Sequence, residues 1–140
     1  MFYANVTQLG KRALTYLINR PDHIILAVET HLRTDKAHAA MKEMQFGGWV
    51  PIMAPAVDSN DHILGNKGGA MSFHRPWLQT ATPAVAEGPD GWELPADDLA
   101  WKHYRIKGLH LIIGTIYFEH STGLAGANLD KFRKASLLTD

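Results

Sequence analysis

The 140-residue chain contains no cysteine, which excludes disulfides, thiolate zinc sites and a cysteine nucleophile. It also has no excess charge: 14 Lys and Arg balance 14 Asp and Glu, for a net charge of zero with eight His neutral. A free-standing nucleic-acid binder usually carries a basic excess, because neutralising phosphates supplies much of its affinity. The balanced charge therefore argues against a protein that only binds nucleic acid. It argues less strongly against an enzyme that contacts phosphate through a metal ion.

Long hydrophobic runs are missing as well. The longest apolar run covers residues 24–28, whereas a membrane-spanning helix needs roughly 20 apolar residues. The start of the chain lacks the basic region and apolar run of a signal peptide. The hydrophobic content of 46% and charged content of 20% are those of an ordinary globular protein. We therefore expect one intracellular domain over residues 1–140, without membrane contact.

Apolar periodicity predicts alternating strands and helices. The predicted strands cover 2–6, 23–28, 49–54, 69–74, 101–106 and 109–118, and the predicted helices cover 7–19, 34–46 and 128–138. Thr7 and Thr34 are the expected helix caps, and Lys107-Gly108 is the expected tight turn. The run at 23–28 predicts a strand buried on both faces, whereas the alternation at 69–74 predicts one solvated face. Residues 57–67 and 76–98 are expected to be loops. The pattern indicates an α+β fold, with helices packed on a mixed sheet.

Polar residues follow the first two predicted strands. Asn5 ends the first strand and Glu29 directly follows the second. Active sites in open α/β sheets lie at the carboxyl ends of strands, and Mg²⁺ prefers one or two carboxylates together with water and phosphate. Glu29 with Asn5 therefore indicates half of a divalent-metal site. The alternative is an exposed strand-end carboxylate beside a turn asparagine.

Three further features carry candidate chemistry, each with a structural alternative. His31 lies two residues after Glu29, where strand geometry would put both on one face, and it either contacts metal or phosphate or buttresses the strand end. Tyr117 ends the last long strand, and its hydroxyl either donates to a phosphate or packs at a sheet edge. Asp58–His62 collects metal-type ligands, so a metal enzyme of another class is a third interpretation, although a polar loop is simpler.

Taken in order, these landmarks resemble the amino-terminal half of the endonuclease/exonuclease/phosphatase superfamily. This superfamily of metal-dependent phosphoesterases includes abasic-site nucleases, deoxyribonuclease I and the endonucleases of non-LTR retroelements. The resemblance covers essentially the whole chain, and the Glu-Thr-His-Leu run is most like the retroelement branch. The segments that carry it are Ala4-Asn5-Val6, 22–32, Gly68-Gly69-Ala70-Met71-Ser72-Phe73 and 109–117.

The resemblance implies a fold, a reaction and residue roles. The fold would be a four-layer α/β sandwich with a mixed β-sheet, of which about the first half is present. Glu29 would ligate Mg²⁺ or Mn²⁺, Asn5 would orient substrate or metal-bound water, and Tyr117 would contact the phosphate. His31 is a candidate to support this site without ligating the metal itself. The implied substrate is a phosphodiester in nucleic acid, DNA foremost, and a nuclear location follows only by analogy.

Two family motifs are absent from the sequence after Tyr117. One is the G-D-x-N that orients the attacking water, and the other is the S-D-H that supplies the general base. Hydrolysis needs both a metal ion and a base, so we expect an incomplete domain with little or no activity. A half-fold is also expected to leave an apolar sheet face exposed. The alternative is a non-catalytic interaction protein built on the same half-fold.

Overall fold

A computed structural model of the protein describes residues 1–60, 65–81, 99–118 and 123–136. Helices accompany strands that pair both parallel and antiparallel, which confirms the predicted α+β fold with a mixed sheet. The helices are α1 (Lys11–Ile18), α2 (Thr34–Phe46) and α3 (Gly126–Ser136). The strands are β1 (Phe2–Asn5), β2 (Ile24–Val28), β3 (Val50–Ala54), β4 (Val57–Asp58), β5 (Asn66–Lys67), β6 (Ala70–His74), β7 (Gln79–Ala81), β8 (Leu99–Ile106) and β9 (Leu109–Ile116).

The main sheet has four strands in the order β1-β2-β6-β3. β1 runs parallel to β2, whereas β6 runs antiparallel to both β2 and β3. All five residues of β2 are buried, as its continuous apolar run predicts. All five residues of β6 are buried too, so the prediction of a solvated face there is wrong. β6 lies between two strands, and both of its faces are covered.

One face of this sheet packs against α1 and α2. Ile25 and Ala27 of β2 and Met71 and Phe73 of β6 point toward the helices, because alternate residues of a strand share a face. The helices and adjoining loops contribute the rest of this core: Leu9, Leu14, Leu17, Ala40, Met44 and Trp49.

The opposite face packs against a three-stranded antiparallel sheet of order β7-β8-β9. Ile24 and Leu26 contact the core around Tyr104, and Val28 joins a second cluster with Ala100. This face of the main sheet is therefore covered. Exposed apolar side chains lie instead on β9, where Leu109 is 62% exposed.

The helix starts differ from their prediction, whereas the predicted tight turn is present. α1 begins at Lys11 with Gly10 as its N-cap, and α2 begins at Thr34 with Arg33 as its N-cap, so neither threonine caps a helix as predicted. The predicted turn at Lys107-Gly108 is confirmed, with φ of 50° and 81°.

The predicted loops contain short strands. Within 57–67, β4 pairs with β5, and within 76–98, β7 pairs with β8. Residues 82–98 of that loop, like the predicted helix end at 137–138, lie outside the described residues. α3 confirms the last predicted helix over 128–136. In the part of the chain that the structure describes, no helix has the length and apolar character required to cross a membrane.

Candidate metal and phosphate site

Asn5 and Glu29 lie side by side at the carboxyl edge of the parallel strands. The register pairs Asn5 with Val28, and Glu29 is the next residue. The chain leaves the sheet with Val6 N donating to Val28 O at 3.1 Å. Asn5 Oδ1 accepts a hydrogen bond from Thr7 N at 3.0 Å, and an amide oxygen keeps a second lone pair for a further contact. The backbone register thus places the two residues that the sequence indicates as a half-site at neighbouring positions of this edge.

Backbone strain is concentrated at the same edge. In the described residues only four positions other than glycine have positive φ, and three of them are Thr7, Glu29 and His31, at 54°, 57° and 53°. Each such residue costs on the order of 1–3 kcal/mol and persists only where surrounding contacts enforce it. Strain of this kind clusters at functional sites, so its position beside Asn5 and Glu29 supports a binding role for this edge.

The double glycine before β6 holds the strained segment in place. Thr30 N donates to Gly69 O at 3.3 Å, and His31 N donates to Gly68 O at 3.0 Å. Thr30 is 1% exposed, and Gly69 has φ of 88°. A side chain at Gly69 would collide with Thr30 Oγ1. This clamp was not predicted from the sequence.

Glu29 is a buried carboxylate, 9% exposed. Its oxygens and the Asn5 amide oxygen are hard donors of the type that Mg²⁺ and Mn²⁺ take. Mg²⁺ keeps several waters and often uses only one or two protein carboxylates beside a substrate phosphate. These oxygen donors are of the chemical type that a divalent cation accepts.

His31 is held differently from its prediction. The strand ends at Val28, and Glu29 and His31 both have left-handed backbones, so the alternation of a strand does not relate them. His31 is 8% exposed, and its Nδ1 lies 3.0 Å from Asn66 Oδ1 and 3.3 Å from Asn66 O. Because both partners are oxygens, Nδ1 is the protonated nitrogen that donates. His31 is thereby fixed to β5.

A cleft of about 250 Å³ opens beside His31. Its lining comprises His31, Arg33, Asp35, Lys36 and Asn66. Arg33 Nε lies 3.0 Å from Asp58 Oδ1, and Arg33 also donates to Gly65 O at 3.1 Å. Arg33 therefore fastens the β4–β5 hairpin to the start of α2.

The Asp58–His62 metal hypothesis gains no support from this arrangement. Asp58 pairs with Arg33, while Asp61 and His62 lie outside the described residues. Within residues 1–60, 65–81, 99–118 and 123–136, no cluster of three or more His, Asp or Glu side chains is placed to hold a metal ion.

Tyr117 lies at the same edge of the sheets as Glu29. Its side chain packs against Val28, Ala54, Ala70 and Ala100, and Val28 directly precedes Glu29. Lys131 Nζ donates to Tyr117 O at 3.1 Å and lies 5.7 Å from the centre of the tyrosine ring. Part of the Tyr117 side chain thus packs at the sheet edge, as the structural alternative predicts. The residue also lies next to the candidate site.

No family model, curated protein or solved structure matches the chain. The likeness to the endonuclease/exonuclease/phosphatase superfamily stays a prediction from sequence motifs.

Proposed function

We propose that the carboxyl edge of β1 and β2 binds a divalent cation, Mg²⁺ or Mn²⁺, together with a phosphodiester of nucleic acid, DNA foremost. The observation that carries the proposal is the adjacency of Asn5 and buried Glu29 where the backbone is most strained. The superfamily resemblance supports the same chemistry, because it assigns metal and substrate contacts to these two positions. The proposed site thus belongs to a metal-dependent phosphodiesterase of the endonuclease type.

Each residue has one task in this proposal. The Glu29 carboxylate holds the cation, and the Asn5 amide orients the phosphate or a water. The Tyr117 hydroxyl donates to a phosphate oxygen. His31, fixed by Asn66, keeps the turn after β2 in the conformation that presents Glu29. When bound, the cation would stabilise negative charge on the phosphate.

Binding is expected without efficient hydrolysis. In-line attack on a phosphodiester needs a group that takes the proton of the attacking water. The sequence after Tyr117 contains neither a G-D-x-N nor an S-D-H motif, which would supply water orientation and the base. We therefore propose that the 140-residue chain retains ligand affinity but is a poor catalyst.

Mn²⁺ titration of the purified chain tests the cation site. Wild type should bind Mn²⁺, and Glu29→Gln should weaken binding about tenfold or more, equivalent to about 1.4 kcal/mol or more. Glu43→Gln, on the exposed side of α2, is the matched control and should bind like wild type. Equal affinity in wild type and Glu29→Gln would refute the site.

A nicking assay on supercoiled DNA separates binding from turnover. We expect no Mg²⁺-dependent nicking above background. Nicking that requires Mg²⁺ and disappears in Glu29→Gln would overturn the proposed inactivity while supporting the site. Nicking that survives in Glu29→Gln would point to a contaminant or to other chemistry.

A second candidate function is a non-catalytic interaction protein, favoured by the apolar surface of β9. Leu109 and Leu111, which share one face of β9, are 62% and 38% exposed, on a strand without Asp, Glu, Lys or Arg between 109 and 116. Apolar surface of this kind is typical of interaction sites. This function predicts a monodisperse species that unfolds cooperatively and binds no Mn²⁺, whereas a molten, dye-binding state would contradict it.

A further inference from the structure

Polar side chains interrupt the apolar contact between the two sheets. Ser72 and His74 of β6 face Tyr104 of β8, at exposed fractions of 0%, 3% and 0%. Ser72 and His74 lie on the same face of β6, because successive residues of a strand point to opposite faces and Met71 and Phe73 point toward the helices. Apolar side chains surround the three on this side: Ile24, Leu26, Leu78, Ile106 and Ile113.

Each of the three residues carries a buried atom without a protein hydrogen-bond partner. These atoms are Ser72 Oγ, His74 Nδ1 and Tyr104 OH, and they are the buried side-chain atoms of this kind in the described part of the chain. The His74 and Tyr104 rings meet edge to face, with centroids 5.5 Å apart. Burial raises the pKa of Tyr104, and the hydroxyl of Ser72, as a hydrogen-bonding neighbour, opposes that rise; by donor–acceptor geometry, however, neither hydroxyl has a hydrogen-bond partner.

Orphaned polar atoms are rare in protein interiors, because each loses its bonds to water without replacement. Three in one place, on two facing strands, indicate a shared partner. A buried water typically makes about three hydrogen bonds to groups that are otherwise unsatisfied. Two hydroxyls that donate or accept and one imidazole nitrogen match that requirement.

We propose that Ser72, His74 and Tyr104 bind one buried water that bridges the four-stranded sheet to the three-stranded sheet. His74 is flanked by the buried Ile24 on β2 and by Val50 on β3, which is 38% exposed. The bridge is independent of the Glu29 site.

A high-resolution crystal structure of the 140-residue chain tests the bridge directly. We expect a water within hydrogen-bond distance of all three atoms. A long water residence time in magnetic relaxation dispersion should accompany it and should be lost in Tyr104→Phe. A direct Ser72–Tyr104 hydrogen bond with no water between them would overturn the proposal.

Thermal unfolding of variants tests the bridge, because the proposal fixes whether each variant raises or lowers Tm. Tyr104→Phe deletes one oxygen and should lower Tm by several degrees, because the water loses a partner. Ser72→Ala should do the same, and the double variant should lose less than the sum, because both changes remove the same water. Tyr3→Phe, at an exposed tyrosine, is the control and should leave Tm unchanged. A Tm of Tyr104→Phe equal to or above that of wild type would refute the bridge, since an unsatisfied hydroxyl is better removed.

Discussion

Replacing Gly69 with alanine tests the clamp that holds the strained segment after β2. Gly69 has φ of 88°, and a left-handed backbone costs an L-residue about 1–2 kcal/mol relative to glycine. The new Cβ would also collide with Thr30 Oγ1 and lie 3.3 Å from Ala56 N. Thr30 is 1% exposed, so it has little room to move, and overpacking of this kind costs about 1–3 kcal/mol. Gly69→Ala should therefore destabilise the protein by about 2–5 kcal/mol.

Gly108→Ala is the matched control. Gly108 has φ of 81°, and a Cβ there would meet nothing within 4 Å, so this variant carries the backbone cost alone, about 1–2 kcal/mol. Urea unfolding at constant m measures both. Equal losses in the two variants would refute the close approach of Gly69 to Thr30. A smaller loss for Gly69→Ala in a Thr30→Ala background than in wild type would confirm the contact, because the collision is then removed.

Two further changes follow from charge and backbone. Burial, followed by the positive charge of Lys102, lowers the pKa of His74, so the unfolded chain takes up a proton first as pH falls below the ordinary histidine value of 6.5. In urea titrations, the free energy of unfolding should keep its full value above that pH and should decline below it. The decline should be weaker in His74→Gln. A pH profile of His74→Gln equal to that of wild type would contradict this. Lys107 has φ of 50° before Gly108, where asparagine is favoured in two-residue hairpin turns, so Lys107→Asn should raise stability by up to about 1 kcal/mol. Lower stability of this variant would refute the turn geometry.

Local sequence patterns predicted the elements whose cause is local. The unbroken apolar run of β2 requires burial on both faces, and Lys107-Gly108 requires a tight turn, so both were predictable. The helix caps were not. Thr7 N donates to Asn5 Oδ1, and the left-handed backbone of Thr7 differs from the extended conformation of an N-cap residue; α1 begins instead at Lys11.

The same distinction between local and non-local causes applies to the candidate site. Asn5 and Glu29 were predictable because a parallel strand pair aligns its carboxyl ends, which is a consequence of strand order alone. The contacts that complete the site join residues far apart in the chain: His31 contacts Asn66 across 35 positions, and Arg33 reaches Gly65 across 32. No periodicity encodes such pairs, since they depend on where the β4–β5 hairpin folds back. The same limit applies to β6, where Ser72 and His74 alternate with apolar residues as on a solvated strand, yet both are buried between the sheets. The alternation of polar and apolar residues thus failed to indicate a solvent-exposed face, because these polar side chains face the opposite sheet. Burial of polar side chains such as these becomes visible only in the assembled fold.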